Sequence, residues 1–331
     1  MLPQFFSVSL RMREETMRKT LKIGPDDFVL TELADALLVQ GRGVTAAFTR
    51  KRLASDERAS GPVQETRGAA VAENAEEERQ RQEDAGNLSF TVGDDPACVR
   101  RNRDWALSLL GLSACPQVWG EQVHGARVFV VGQSSFLDED SSGGATSESV
   151  CSQDLLVPGT DALVTGLSLV ALGILTADCV PILLVGEDAM AIVHAGWRGL
   201  LAGVIGAAVA ALQQVSSGSG ADRIIAFVGP SIGACCFEVG PEVADMMEQA
   251  FPSPHQAVVH HMKRNRPYVD LRNCVHVALS VAGVLFVQPL FPCTRCDNGF
   301  FSHRRGDRGR QALVAARSSS EIFPRISPGL F

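Results

Sequence analysis

The chain has 331 residues, 46% of them apolar, and a net charge of −7. That is enough apolar content to bury a large core as one elaborated domain, while the negative balance excludes a general attraction to nucleic acid or to an anionic membrane surface. No apolar run reaches the roughly 18 residues of a membrane-spanning helix, so the sequence reads as that of a soluble, cytoplasmic protein.

At the N-terminus an apolar stretch, Leu2 to Leu10, precedes Arg11, Arg13, Arg18, Lys19 and Lys22. A secretory signal has the reverse order, so residues 1–22 read as an extension ahead of a domain spanning 23–331, the alternative being an organellar transit peptide, against which Glu14 and Glu15 stand. The nine cysteines are odd in number and sit mostly in or beside apolar runs, the pattern of reduced thiols. Residues 51–85 are rich in Ala, Glu, Arg and Gln and poor in large apolar side chains, and residues 133–154 are rich in Ser, Gly and acidic residues. Both read as solvated insertions. A helix is expected over Pro96–Leu110, then strands over Arg127–Val131, Asp161–Thr165, Leu169–Thr176, Val180–Val185 and Met190–Val193. Helices follow at Gly199–Val215, Pro241–Ala250, Leu271–Ala282 and Gly306–Ala316, interleaved with strands at Arg223–Val228, Ala257–His261 and Val284–Val287. Several strands run into others through short turns, which predicts an α/β (α+β-like) single domain with a mixed β-sheet flanked by helices rather than a strict βαβ repeat.

Three short segments carry candidate chemistry. His124 stands before Gly125, Cys179 before Val180-Pro181, and His194 closes an apolar run ahead of Ala195-Gly196. Two imidazoles and one thiolate suit a borderline-soft ion such as zinc and leave one coordination position open. The spacings, 55 and 15 residues, match no short zinc pattern. Asp178, beside Cys179, could orient a ligand or take up a proton, or could serve structure alone. Arg198, four residues after His194, offers a planar fork for phosphate, the alternative being a partner carboxylate. Arg304-Arg305 reads equally as a phosphate contact or a solvated pair. Cys235-Cys236, after Gly233, reads as buried packing, the alternative being a tight loop near the pocket. Cys293-Thr-Arg-Cys296 looks like half of the nucleobase-deaminase signature, but that signature also needs His-x-Glu. No histidine has glutamate two residues on, so two packed thiols are expected there, the alternative being a redox pair.

The wording around these residues resembles the YfiH, or laccase-domain, family of purine nucleoside phosphorylases. The resemblance rests on Glu121-Gln-Val-His-Gly125, Thr160-Asp-Ala-Leu163, Thr176-Ala-Asp-Cys-Val-Pro181 and His194-Ala-Gly-Trp-Arg-Gly199. It continues through Gly229-Pro-Ser-Ile-Gly233 with Cys236-Phe-Glu-Val239, and Phe300-Phe-Ser-His-Arg-Arg305, within a span from about Phe28 to Arg317. It implies a single-domain fold shared with toxin deamidases, and zinc held by His124, Cys179 and His194. It also implies catalysis at these residues and places Arg50 and Asn87 at the rim of the substrate pocket; Asp178 joins the catalytic candidates, and Arg198 and Arg305 the substrate contacts, on their own chemistry. The implied substrates are purine nucleosides and phosphate. The implied reactions are phosphorolysis of adenosine, guanosine, inosine or methylthioadenosine, and deamination of adenosine. The competing expectations are a copper-dependent polyphenol oxidase, against which stand seven histidines without a His-x-His pair, and a non-catalytic binding or scaffold protein. A homo-oligomer remains open.

Overall fold

The computed structural model describes residues 17–23, 26–51, 86–112, 115–132, 135, 154–217, 220–252, 258–261, 266–290 and 292–318. The expected insertions at 51–85 and 133–154 lie outside the described residues apart from Lys51, Ser135 and Asp154, and so does the chain before Met17.

The β-structure divides into two large mixed sheets rather than one. The first orders β1 (Met17–Ile23), β2 (Asp26–Glu32), β3 (Ala36–Gly41), β4 (Val44–Thr49), β16 (Gln311–Arg317), β9 (Ala171–Thr176), β5 (Gln117–Gly120) and β7 (Leu155–Val157). The second orders β15 (Phe286–Pro289), β12 (Ile225–Val228), β10 (Val180–Val185), β11 (Met190–Ala195), β8 (Ala162–Thr165) and β6 (Val128–Val131). A small hairpin joins β13 (Val258–His261) to β14 (Arg266–Val269). Helix α1 (Pro96–Ser108) lies on the outer face of the first sheet. On the second sheet lie α2 (Trp197–Leu201), α3 (Val204–Val215), α4 (Pro241–Ala250) and α5 (Leu271–Val281).

The continuous apolar runs follow from this layering, because strands covered on both faces need apolar side chains at every position. Along β10, Val180, Ile182 and Leu184 pack under the helices, while Leu183 and Val185 meet the other sheet. Between the sheets, Phe28 from the first meets Phe227 from the second edge-on, with ring centroids 5.0 Å apart.

Two sequence expectations are corrected by this arrangement. Gly306–Ala316 is not a helix: its second half belongs to β16, hydrogen-bonded to β4 and β9 in the centre of the first sheet. Ala312, Val314 and Ala316 face α1 while Leu313 and Ala315 face the other sheet, so an Ala-rich stretch with good helix propensity is overridden by burial on both sides. The helix expected from Gly199 to Val215 is two, broken where Gly203 adopts a left-handed φ of 83°. In addition β1 begins at Met17 and pairs with β2, so the ordered sheet reaches into the segment read as an extension. Among the described residues no helix is long and apolar enough to cross a membrane.

Candidate active site

The site forms where the chain passes from one sheet to the other. β5 and β9 are parallel neighbours, so their carboxyl ends emerge together. The turn Ala177–Cys179 then carries the chain from β9 into β10 of the second sheet. There Val180 pairs with Ala195, which sets Cys179 opposite Gly196 at the end of β11. His194 is the penultimate residue of β11 and His124 lies in the loop after β5.

This topology brings His124, Cys179 and His194 together, with their ligand atoms all within 4.8 Å of one another. The two imidazoles meet edge-on with centroids 4.9 Å apart. A Cβ at Gly196 would stand 2.9 Å from His124 Cδ2 and 3.0 Å from Cys179 Sγ, so glycine is what allows the backbone to approach the cluster. His194 is buried, Cys179 partly so, and His124 is open to the cavity. Two non-glycine residues here have a left-handed backbone, His124 at φ 62° and Asp178 at φ 97°, a strain of order 1–3 kcal/mol each.

What holds His124 in that conformation is Asp161, whose place in the Thr160–Leu163 motif carries no sign of this role. Its carboxylate is fully buried and accepts from the backbone N–H of Val123, His124 and Gly125, at 3.2, 2.9 and 2.8 Å. It also bonds His194 Nδ1 at 2.8 Å. One carboxylate therefore fixes the loop of one histidine and the ring of the other, leaving His194 Nε2 for the cavity. Burial pushes the Asp161 carboxyl up, but the bonds from His194 and the backbone outweigh it and hold the group below the usual aspartate value. Burial likewise raises the Cys179 thiol, yet the facing His194 and His124 rings bring it down to about 6. Burial lowers His194, and Cys179 with Asp161 overcome this to raise it to about 9. The cluster thus stabilises a thiolate, the form a metal requires.

The donor set fits one zinc ion, with three protein ligands in the pattern of an open site. It forms part of the wall of a cavity of about 850 Å³. Arg198, Arg304 and Arg310 supply a cationic side, and Phe90, Trp119, Trp197 and Phe237 supply flat apolar surface. Arg198 is exposed, stacks on Trp197 at 4.3 Å, and has no carboxylate partner among the described residues. At the other end Arg103 lies over Trp119 at 3.8 Å.

The remaining expected site residues lie elsewhere or do other work. Arg50 does not line the cavity: it pairs with Glu32 at 2.7 Å and lies over Phe300. Asn87 is wholly buried and donates to Ser89 O and Asp94 Oδ2 while accepting from Ser89 N and Arg310 N, all of which tie loops together. Arg305 donates to the carbonyls of Thr294, Arg295, Asp297 and Phe300. Its neighbour Arg304 is the one on the cavity wall, a one-residue offset set by the tight turn His303–Arg305. Asp178 borders the cavity, but its carboxylate accepts from Thr294 Oγ1 and Arg304 N, both at 2.7 Å. It anchors the wall that carries Arg304 and bonds no ligand of the cluster. Arg103 and Arg310 have no motif of their own in the sequence.

Residues 69–318 match the family model described as multi-copper polyphenol oxidoreductase laccase. The chain belongs to this family. Among laccase-family relatives, it is 38% identical over 221 residues to the purine nucleoside phosphorylase ORF3 of Streptomyces griseus, covering 66% of this chain and 81% of the relative. It is 36% identical over 225 residues to the adenosine deaminase RL5 of an unknown prokaryotic organism, with the same shares of the two chains covered. Both relatives are enzymes by name, and this laccase-family chain is an enzyme too. The solved structure of the Bacillus licheniformis hypothetical protein YfiH superposes with a TM-score of 0.66 at 24% identity, over 87% of this chain and 98% of that one, which bears out the mixed α/β fold.

Proposed function

We propose that this laccase-family chain is a zinc-dependent purine nucleoside enzyme with two reactions at one site. One is phosphorolysis of adenosine, guanosine, inosine or methylthioadenosine, and the other is hydrolytic deamination of adenosine. The observation that carries the reading is the three-donor cluster of His124, Cys179 and His194 on the wall of a cavity that also offers cationic and flat apolar surfaces. Zinc held by these donors would supply an open coordination position and Lewis-acid polarisation.

The chain's own groups account for the rest. Phe90, Trp197 and Phe237 offer faces against which a purine can stack. Arg198 presents its fork to the cavity and can grip phosphate through two parallel N–H bonds. In phosphorolysis a phosphate oxygen bonds to C1′ of the ribose while the bond from C1′ to the base nitrogen breaks, and the base leaves with a proton. In deamination a water oxygen bonds to C6 and ammonia leaves. Asp161 keeps His194 in one tautomer and orientation through either reaction.

A multi-copper oxidase would need several histidine-rich sites to hold its ions. Among the described residues the two metal-capable clusters are this one and a group of four cysteines. Incubating the protein with adenosine, with and without phosphate, separates the readings. Adenine and ribose 1-phosphate formed only with phosphate, and inosine and ammonia without it, are expected. Zinc-loaded protein that makes neither, or copper-loaded protein that consumes oxygen with phenols instead, would overturn the proposal.

A further inference from the structure

The four cysteines stand apart from this chemistry. Cys235 and Cys236 follow β12, Cys293 and Cys296 follow β15, and these two strands are parallel neighbours. Parallel pairing sends both loops off the same end of the sheet, so cysteines 61 residues apart in sequence meet. All four sulfurs lie within 4.8 Å of one another, with Cys236 Sγ and Cys235 Sγ at 3.4 and 3.7 Å from Cys296 Sγ. Four thiolates bound tetrahedrally to zinc at about 2.3 Å sit about 3.8 Å apart, whereas disulfide sulfurs sit at about 2.05 Å. Packed thiols are the expectation from sequence, but Cys235 and Cys296 are exposed, which packing does not explain.

We propose that Cys235, Cys236, Cys293 and Cys296 form a second metal site, a closed tetrathiolate that holds structural zinc. The surroundings suit it. Gly233 N–H donates to Cys293 Sγ at 3.2 Å, and the amides of Cys296 and Asp297 close the Cys-x-x-Cys turn on Cys293 O at 3.1 and 3.0 Å. A Cβ at Gly233 would stand 3.3 Å from both Cys235 Sγ and Cys293 Cβ, so the loop needs glycine to bring the thiols together. A zinc tetrathiolate carries a net charge of −2, and the Arg272 guanidinium, bonded to Ser231 and Pro292 beside the cluster, offsets part of it.

The site would clip together two loops that support the cavity wall, one lining it directly and the other bonded to the segment that carries Arg304. Ile232 and Phe237, flanking the first cysteine pair, line that cavity. Thr294, inside the second pair, bonds Asp178 and accepts from Arg305, next to the cavity-lining Arg304. Loss of this zinc should therefore loosen the wall without touching the ligands of the first ion.

Elemental analysis of the full chain purified under reducing conditions tests the proposal. Wild type should carry two zinc ions, and Cys179→Ala and the double variant Cys293→Ser/Cys296→Ser one each. Because removing the clip can itself unfold the double variant, cobalt reconstitution of Cys179→Ala gives an independent reading. Four of the five thiolates remain in that variant, so most of the sulfur-to-cobalt absorption should persist. One zinc in wild type and none in Cys179→Ala, copper or iron in the cluster, or a non-reducing mass showing disulfides among these four cysteines would each overturn it.

Discussion

Asp161→Asn is the most informative single change. Oδ1 of Asp161 serves His124 N and His194 Nδ1, and Oδ2 serves Val123 N and Gly125 N. An asparagine keeps the shape but has one accepting oxygen, so in either orientation its amide NH₂ faces two N–H donors. Each bond to a charged acceptor is worth about 1.5–3 kcal/mol, and His124 needs this support to keep its left-handed backbone. Loss of the group that orients a metal-binding histidine weakens metal affinity by about 10- to 100-fold, or about 1.4–2.7 kcal/mol. The assay is chelator competition, reading the zinc-binding step that Cys179→Ala lacks, with circular dichroism to confirm folding. Folded Asp161→Asn that holds zinc as tightly as wild type would refute the claim that one carboxylate positions both histidines.

Arg198→Ala should raise the Michaelis constant for phosphate and slow release of base from inosine by about 10- to 1000-fold, the span of one charge-assisted contact. Adenosine deamination, followed by ammonia release, should fall much less; equal loss of both with zinc retained would make this arginine structural. Phe227→Ala removes a fully buried ring that links the two sheets and should cost about 3–5 kcal/mol in urea denaturation. Asp188 is held below the usual aspartate value by bonds from Ser216 and Ser217, against a smaller push upward from burial. Its contribution is therefore present above the unfolded value of about 3.9 and lost as pH falls through the lower folded value. Asp188→Asn should cost stability at pH 7, and the gap from wild type should close on acidification below pH 4.

Local chemistry was legible where burial imposed it. β10 and β11 are covered on both faces, so Val180 to Val185 and Met190 to Val193 announce themselves as strands whatever their neighbours. The three candidate metal-binding residues stand out because each ends or adjoins such a run. β16 was not legible: Gln311 to Arg317 has the Ala content of a helix, and only its neighbours β4 and β9, distant in sequence, decide otherwise. Asp161 escaped for a similar reason, since a short carboxylate ahead of a strand does not reveal that two loops and a ring will converge on it. Arg50 and Asn87 went astray in the opposite direction, because Glu32 and the Arg310 backbone claim them in the folded chain. The four cysteines needed the parallel pairing of β12 with β15, which pattern alone does not give.

The central claim, that His124, Cys179 and His194 hold the zinc on which nucleoside turnover depends, is tested most directly by titrating zinc into metal-stripped protein while following release of hypoxanthine from inosine and phosphate. Turnover should rise with occupancy of the site that Cys179→Ala lacks, and that variant should stay inactive at every zinc concentration. Full turnover in the stripped protein, or in Cys179→Ala, would contradict it.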